Sequence, residues 1–289
     1  MKRNTHLLII DPQNDFCDLP AEYWPQGANP IQPALPVPGA HQDMLRLAAL
    51  IRQGMAGIRH ISLTLDSHHR LDIAHPTFWQ TAQGSAPNPF TQISASAVRA
   101  GEFMPRQAAA LPRVLQYLDA LESAGRFQLM VWPVHCEIGS WGHNVHADLR
   151  TAYNLWEDAH ISQVHMVHKG ENPWTEHYSA LMAEVPDSAD QDTQLNQALL
   201  AKLTQADRIY IAGEAGSHCV KASTEHVLQY LPAAMASRIV LIRDCISPVA
   251  GFEAQYQAFL TDMQQKGVQI ASCAEILPEL LENAASLHK

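Results

Sequence analysis

The stretch GEAGSHCV, residues 213–220, places a cysteine where a nucleophile could act. Cys219 follows a glycine-containing turn and begins the helical pattern CVKASTEHVLQYL. The positive end of a helix dipole stabilises a thiolate at such a position. A nucleophilic thiol also needs a proton acceptor and a countercharge, which Asp11 and Lys169 could supply from the ends of other apolar runs. The alternative is a small buried cysteine that packs at a helix start.

A second stretch, LDSHHRLDIAHPTFW, carries residue types that bind metals, and a further histidine follows in WPVHC. The candidate ligands are Asp66, His68, His75 and His135. One carboxylate with three imidazoles suits zinc, iron or manganese, with open positions for water or substrate. Asp72 and His69 are competing ligands, and a solvated histidine-rich loop is the alternative. In WPVHC the histidine is therefore expected to face the metal, and Cys136 is not the expected nucleophile.

The elements that must position these residues alternate along the chain. Short β-branched and leucine-rich runs read as buried strands at 6–11, 60–66, 128–132, 163–168, 208–213 and 238–245. Longer stretches have apolar residues at helical spacing, at 41–56, 190–206, 219–231, 251–266 and 274–286. This alternation predicts an α/β fold, with an open, mainly parallel six-stranded sheet and helices on both faces.

Five successive predicted strands each lead to a reactive side chain. In chain order these side chains are Asp11, Asp66, His135, Lys169 and Cys219. Open parallel sheets bind ligands beyond the carboxyl ends of their strands. The sequence therefore predicts that these side chains share one site at one edge of the sheet.

The chain shows no internal repeat and no Ser/Gly-rich linker, so one domain over residues 1–289 is expected. A segment from about 80 to 127 interrupts the strand–helix rhythm. It begins irregularly and then offers a helix in RVLQYLDALESAG. We interpret it as an insertion that forms a lid or a subunit contact.

Composition excludes several classes of partner. A formal net charge of −10 argues against nucleic acid or an anionic membrane surface. No apolar run approaches transmembrane length, and the apolar stretch near Met1 is too short for a signal peptide. The five scattered cysteines do not form a disulfide framework, which favours a reducing cytoplasm.

Taken together, the motifs resemble those of nicotinamidase/pyrazinamidase-like amidases in the isochorismatase-like cysteine hydrolase superfamily. IIDPQNDF matches D-x-Q-N-D-F, LDSHH…HPTF resembles D-x-H…H-x-S-F, and WPVHC matches W-P-x-H-C. VHKG carries the lysine, HYSAL resembles Y-S-A-F, and GEAGSHCV aligns with G-x-A-T-D-x-C-V. The resemblance covers most of the chain outside the insertion and implies the isochorismatase-like hydrolase fold.

The resemblance also implies a role for each matching residue. Asp11, Lys169 and Cys219 would be catalytic, and the N–H groups of Ala215 and Cys219 would stabilise an oxyanion. Phe16 and Trp132 would be pocket walls. The resemblance implies that Asp66, His68, His75 and His135 hold a divalent metal, with zinc expected and iron or manganese as alternatives.

Three departures from the family pattern stand out. The spacing from Asp66 to His75 is one residue longer than usual, and the insertion lies between metal ligands. EAGSHC replaces the common A-T-D before the nucleophile. In the family this turn contains a cis peptide, which here would join Glu214 to Ala215.

Three functions follow as hypotheses. The first is a metal-dependent amidase that releases ammonia from nicotinamide or a similar heteroaromatic carboxamide, as in NAD salvage. The second is an amidase of the same superfamily for a ureido, carbamoyl or maleamate-like substrate. The third is a non-catalytic metal-binding relic with an unreactive Cys219. A small-molecule amide is the expected partner of the enzyme, and a homo-oligomer the expected assembly.

Overall fold

A computed structural model describes residues 2–27 and 31–285. Within these ranges the strands are β1 (Thr5–Ile10), β2 (His60–Asp66), β3 (Trp79–Thr81), β4 (Thr91–Ile93), β5 (Phe103–Pro105), β6 (Leu129–Val131), β7 (His165–Lys169), β8 (Arg208–Gly213), β9 (Ile239–Ile242) and β10 (Gln269–Ala271). The helices are α1 (Ala40–Gly54), α2 (Ala95–Arg99), α3 (Leu111–Ala124), α4 (Ala147–His160), α5 (Gln197–Thr204), α6 (Cys219–Tyr230), α7 (Glu253–Gln265) and α8 (Cys273–Ala285).

The central sheet has six parallel strands in the order β10-β9-β8-β1-β2-β7. All six residues of β1 are buried, because the strand pairs with β8 on one side and β2 on the other. This explains why β1 reads as a continuous apolar run instead of alternating. Helices pack around the sheet; α1, for example, contacts β8, α4 and α8. The predicted α/β fold is confirmed.

The membership of the sheet differs from the prediction in one strand. The run 128–132 forms β6, which pairs antiparallel with β4 in a separate two-stranded ribbon. The sixth place in the central sheet belongs to β10, a three-residue strand beside β9. β10 lies at the sheet edge and is only partly buried, so its sequence lacks the apolar run that marks the inner strands.

The helices also depart from the prediction in three places, the first being the short helix α2, which was not predicted. Helix α4 was not predicted, although its buried residues Leu149, Ala152, Tyr153 and Trp156 have helical spacing. The predicted helix 190–206 is shorter, because α5 begins only at Gln197, where the Asn196 side chain accepts a hydrogen bond from the Leu199 N–H. The last position of the predicted helix 274–286 lies outside the described residues.

Residues 80–127, the predicted insertion, pack together with residues on either side of them around a second, small apolar cluster. β3 pairs with β5, and β4 pairs with β6. The cluster includes Trp79, Ile93, Val98, Val114, Leu118, Leu121 and Val131. Helix α3 ends where predicted, at Gly125 in the left-handed conformation that favours glycine. None of the helices in the described ranges is both long and apolar enough to cross a membrane.

Candidate active site

Asp11, Lys169 and Cys219 meet beyond the carboxyl ends of β1, β7 and β8. Asp11 directly follows β1, Lys169 is the last residue of β7, and Cys219 begins α6 after the turn that follows β8. The Lys169 Nζ lies 2.8 Å from Asp11 Oδ2 and 3.7 Å from Cys219 Sγ. All three side chains are buried. The structure thus brings an acid, a cation and a thiol together.

Thr64 on β2 holds the carboxyl group of Asp11. The Thr64 hydroxyl donates to Asp11 Oδ1 over 2.5 Å, and it accepts the Asp11 backbone N–H over 2.9 Å. The backbone of Asp11 has a φ of 42°, in the left-handed region that non-glycine residues rarely adopt. Such a conformation persists where the surroundings enforce it, and here it directs the carboxyl group toward Lys169.

The charges of these groups follow from burial and from one another. Burial raises the pKa of Asp11, and the nearby Lys169 offsets only part of that rise. Burial alone would lower the pKa of Lys169, but Asp11 and Asp66 hold it well above its ordinary value. Burial raises the pKa of the Cys219 thiol well above its usual range, despite Lys169. The resting thiol is therefore protonated, with a charged ammonium and a carboxyl group of raised pKa beside it.

Asp66, the last residue of β2, connects this group to the histidines. Its Oδ1 accepts a hydrogen bond from Lys169 Nζ over 2.9 Å. Its Oδ2 lies 3.0 Å from His68 Nε2 and 3.5 Å from His135 Nε2. Burial would raise the pKa of Asp66, but His68 and Lys169 hold it well below its ordinary value. Asp66 is therefore an ionised carboxylate between a lysine and two imidazoles.

His68, His75 and His135 form a buried cluster, with one possible ligand atom of each within 4.8 Å of the others. Burial, together with the neighbouring His135, lowers the pKa of His75 to about 2, so its imidazole is neutral and can donate a lone pair. Three imidazoles beside the carboxylate of Asp66 fit a divalent cation of the zinc, iron or manganese type.

The two competing ligand candidates lie elsewhere. Asp72 Oδ2 is 3.2 Å from His68 Nδ1, and Asp72 Oδ1 accepts the Ala74 N–H. It therefore contacts the ring nitrogen of His68 that faces away from Asp66, as carboxylates that orient a metal-binding histidine do. His69 is exposed and lies outside the three-histidine cluster.

The turn before Cys219 offers two backbone donors. The Glu214–Ala215 peptide bond is cis. The Gly216 N–H is bonded to the Ser247 carbonyl over 2.8 Å, and the His218 N–H to the Ala215 carbonyl over 3.0 Å. Among the described residues, no hydrogen bond uses the N–H groups of Ala215 or Cys219. Both amides thus remain open to an oxygen atom near the thiol.

A small pocket opens above Cys219. Its lining consists of Phe16, Leu35, Asp66, Trp132, His135, Glu176, Tyr178, Ala215, His218, Cys219 and Val249. The predicted walls Phe16 and Trp132 are among them. The Trp132 indole N–H donates to the Tyr178 hydroxyl over 3.1 Å, which fixes the plane of its ring. The pocket therefore joins the thiol, one histidine of the cluster (His135) and several aromatic rings in one space.

Several solved structures have a fold similar to that of this chain over nearly its whole length. A nicotinamidase/pyrazinamidase of Acinetobacter baumanii aligns with a TM-score of 0.60 at 19% identity, covering 95% of this chain and 98% of its own. A pyrazinamidase of Pyrococcus horikoshii, in complex with zinc, aligns with a TM-score of 0.52 at 18% identity, covering 93% and 99%. An isochorismatase family protein of Desulfovibrio vulgaris aligns with a TM-score of 0.51 at 16% identity, covering 97% and 99%.

The chain has the isochorismatase-like α/β fold. At these identities the likeness concerns the fold. A scan against protein-family models finds no match, and a search of the curated proteins finds none either.

On this isochorismatase-like fold, three polar residues of the pocket were not predicted from the sequence: Glu176, Tyr178 and His218. Glu176 is buried; its Oε1 accepts the His177 N–H, and its Oε2 has no hydrogen-bond partner among the described residues. Burial raises the pKa of Glu176 to about 7. The His218 ring lies edge-on to Trp132 at 5.0 Å, and burial lowers its pKa to about 3.

The sequence marks two of these three residues by a motif but not the third. Tyr178 lies in HYSAL, and His218 directly precedes the predicted nucleophile, so both could be found from their motifs. Glu176 belongs to no motif that we recognised. It reaches the pocket because the loop after β7 folds back, so that the His177 carbonyl accepts a hydrogen bond from Lys169 over 3.0 Å.

Proposed function

We propose that this protein is a metal-dependent cysteine amidohydrolase that releases ammonia from nicotinamide or a similar heteroaromatic carboxamide. The observation that carries the proposal is the position of the Lys169 ammonium, in contact with both the Asp11 carboxyl group and the Cys219 thiol. The aromatic pocket above the thiol and the solved nicotinamidase of the same fold support the choice of substrate.

Acylation would begin with proton transfer from the thiol. Asp11 accepts the proton of Cys219, while Lys169 stabilises the thiolate that forms. The raised pKa of Asp11 makes its carboxylate a stronger base than that of an ordinary aspartate. The thiolate then attacks the amide carbonyl, and the N–H groups of Ala215 and Cys219 bind the developing oxyanion. Each such donor contributes about 3 kcal/mol to stabilising the transition state.

The second half of the reaction returns the proton. Asp11 protonates the leaving nitrogen, ammonia departs, and a thioester remains on Cys219. Asp11 then takes a proton from water, which attacks the thioester and frees the carboxylic acid and the thiol. Burial of all three catalytic side chains keeps other water away from the reacting atoms.

Groups within and beside the pocket would orient the ring. His68, His75 and His135, with Asp66, would hold the divalent metal, and zinc is favoured because the pyrazinamidase of Pyrococcus horikoshii binds it. When bound, the metal supplies a Lewis-acid contact for a ring nitrogen. Phe16 and Trp132 would flank the ring, each aromatic contact adding about 1 kcal/mol beyond burial.

One observation favours a second substrate class, the ureido, carbamoyl or maleamate-like amides. Glu176, whose Oε2 has no hydrogen-bond partner among the described residues, lines a pocket that His218 also lines. These polar groups would bind a substrate with more hydrogen-bonding atoms than nicotinamide has. In either case we place the enzyme in the cytoplasm as a homo-oligomer, and the nicotinamide activity in NAD salvage.

Ammonia release from nicotinamide by zinc-loaded protein tests the proposal. Wild-type protein should release ammonia, and Cys219→Ala should lower kcat by about 10⁴-fold or more, because the nucleophile is lost. Cys136→Ala is the matched control, since Cys136 is also buried but does not contact Lys169.

The other outcomes separate the alternatives. No release from nicotinamide, but release from a ureido or maleamate-like amide that depends on Cys219, would replace the first substrate class with the second. No release from any amide, together with slow thiol labelling of Cys219 in metal-loaded protein, would identify a non-catalytic metal-binding protein and reject the proposal.

A further inference from the structure

Two free cysteines contact each other outside the candidate active site. The Sγ atoms of Cys245 and Cys273 lie 3.2 Å apart. Cys245 is fully buried and ends a short 3-10 turn after β9, whereas Cys273 is partly exposed and begins α8. A disulfide needs an S–S distance of about 2.04 Å, so a small side-chain movement separates the two thiols from a bond.

The fold places this pair by strand register. β9 and β10 are adjacent and parallel, with Ile242 opposite Ala271. Each strand is followed within three residues by one of the cysteines. Asp244 strengthens the arrangement, because its Oδ1 accepts the Cys273 backbone N–H over 2.9 Å. The contact is thus built on the sheet and on a backbone hydrogen bond, not on two free loops.

We propose that Cys245 and Cys273 form a reversible disulfide on reaction with a peroxide. The thiol of the partly exposed Cys273 attacks the peroxide oxygen; for hydrogen peroxide this gives a sulfenic acid and one water. The Cys245 sulfur then attacks the Cys273 sulfur, and the hydroxyl group leaves as a second water. Two thiols are oxidised by two electrons, and one hydrogen peroxide is reduced to two waters.

The geometry favours a disulfide over a metal site at this position. Asp244, Cys245 and Cys273 do lie close enough to share an ion. Two thiolates on a tetrahedral zinc, however, would lie roughly 3.8 Å apart, which is longer than the observed contact. The Asp244 oxygen is also already bonded to the Cys273 N–H.

The disulfide would join two parts of the fold that matter for the pocket. Cys245 leads directly into the segment 246–249, in which the Ser247 carbonyl accepts the Gly216 N–H of the nucleophile turn and Val249 lines the pocket. Cys273 begins α8, which packs on α1. Oxidation would therefore restrain the segment that supports the nucleophile turn.

Peroxide treatment of a Cys219→Ser protein tests the disulfide while keeping the active-site thiol out of the reaction. After oxidation, alkylation and proteolysis, mass spectrometry should find the Cys245 and Cys273 peptides cross-linked. Thiol titration should fall by two per chain, and dithiothreitol should restore both. The melting temperature should rise by several degrees in the oxidised form, because the cross-link constrains the unfolded chain.

Single-cysteine variants in the same background complete the test. Cys273→Ser, at the partly exposed position, and Cys245→Ser should each abolish the cross-link and the thermal shift. Cys17→Ser is the matched control for a buried cysteine and should retain both. Sulfinic acid on Cys273 with Cys245 still reduced would overturn the proposal. The proposal would also be overturned if the protein bound one equivalent of zinc that the Cys245→Ser variant does not bind, because that result would assign the pair to a metal site. Neither result depends on the amide substrate.

Discussion

At the scale of single residues, Asp66 connects two groups with different chemistry. One carboxylate oxygen bonds the lysine that contacts the thiol, and the other faces His68 and His135. A change of charge among the imidazoles therefore alters the field at Lys169 through a single buried side chain. The group of Asp11, Lys169 and Cys219 is therefore electrostatically coupled to the histidine cluster through Asp66.

The hydroxyl of Thr64 should set the pH dependence of the reaction. It donates to Asp11 and thereby lowers the pKa of that carboxyl group, against the larger effect of burial. Thr64→Val removes the donor, so the pKa of Asp11 should rise further. Because the reaction needs ionised Asp11, the acid limb of the kcat/KM profile should move to higher pH. We expect kcat to fall about 10- to 100-fold at pH 7.

Thr5→Val provides the control for this substitution. Thr5 is also a buried strand threonine, but its hydroxyl donates to the Gly57 carbonyl, away from the site. This variant should lose stability and keep the wild-type pH profile. An unshifted acid limb in Thr64→Val would contradict the role assigned to the hydroxyl.

Asp72 should tune metal affinity without being a ligand. Its carboxylate lies 3.2 Å from the Nδ1 of His68 and favours the tautomer whose Nε2 can bind a metal. Asp72→Asn should weaken zinc binding about 10- to 100-fold, measured by competition with a fluorescent chelator. Loss of binding as complete as in His68→Ala would instead make Asp72 a ligand.

The residues that the sequence could identify are those with a local signal. Asp11, Asp66 and Lys169 end or follow apolar strands, and Cys219 begins a helix, so each is marked by its own neighbours. Glu176 was missed because its place in the pocket depends on how a long loop returns to the sheet. No periodicity in the sequence encodes that return.

At the scale of elements, the parallel pairing of β8 with β1 leaves no room for a side chain at Gly213. This glycine has a φ of 116°, and a Cβ atom there would lie 2.0 Å from the Ile10 carbonyl oxygen. Ile10 directly precedes Asp11, and Gly213 directly precedes the cis peptide of the nucleophile turn. The close approach of two backbones therefore sets the spacing between the acid and the thiol.

Gly213→Ala should separate these two strand ends. We expect a loss of about 3 kcal/mol or more in the free energy of unfolding, measured by urea denaturation, because backbone must move to admit the methyl group. Amidase activity should fall with it. Gly84→Ala is the matched control: its φ is also positive, at 81°, but a Cβ there meets nothing within 4 Å. It should cost only about 1 kcal/mol.

The elements that the sequence predicted correctly are those with a strong apolar pattern. β1, β2, β8 and β9 lie inside the sheet; LLII in β1, IYIA in β8 and IVLI in β9 are continuous apolar runs, whereas ISLTL in β2 alternates. The run that forms β6 looks the same, because it is also buried, although its partner is β4. Burial is encoded in the composition of a run, whereas the choice of partner strand depends on contacts far away in the chain.

At the scale of the whole molecule, Arg126 attaches the segment 80–127 to the rest of the fold. Its guanidinium contacts Glu184 and Glu225, each at 3.1 Å, and His226 at 2.6 Å. The neighbouring Phe127 ring packs on Tyr178 at 4.7 Å, and Tyr178 lines the pocket. The segment thus supports one aromatic wall of the candidate site from outside.

Arg126→Gln should weaken this attachment, and its effect on the free energy of unfolding should depend on the charge of Glu184. Burial raises the pKa of Glu184 to about 7 although Arg126 opposes the rise. The ion pair therefore stabilises the fold only where Glu184 is ionised, which is above about pH 7. The variant should lose about 1–3 kcal/mol in unfolding free energy at pH 8 and less at pH 6, measured by denaturant titration.

The same variant should raise KM severalfold, because Tyr178 loses support. Arg99→Gln is the control, since Arg99 pairs with Asp119 in an exposed bridge within the same segment. Exposed pairs of this kind contribute little. An equal stability loss at both pH values would show that the ion pair with Glu184 does not contribute to stability.

The central position of β1 has a consequence for synthesis of the chain. Residues 5–10 pair with 208–213, so one side of this wholly buried strand has no partner until about two hundred further residues have left the ribosome. During that interval an apolar strand edge is open to other nascent chains. Demand for chaperones should therefore be greatest before β8 emerges, and a chain truncated ahead of that strand should aggregate rather than fold.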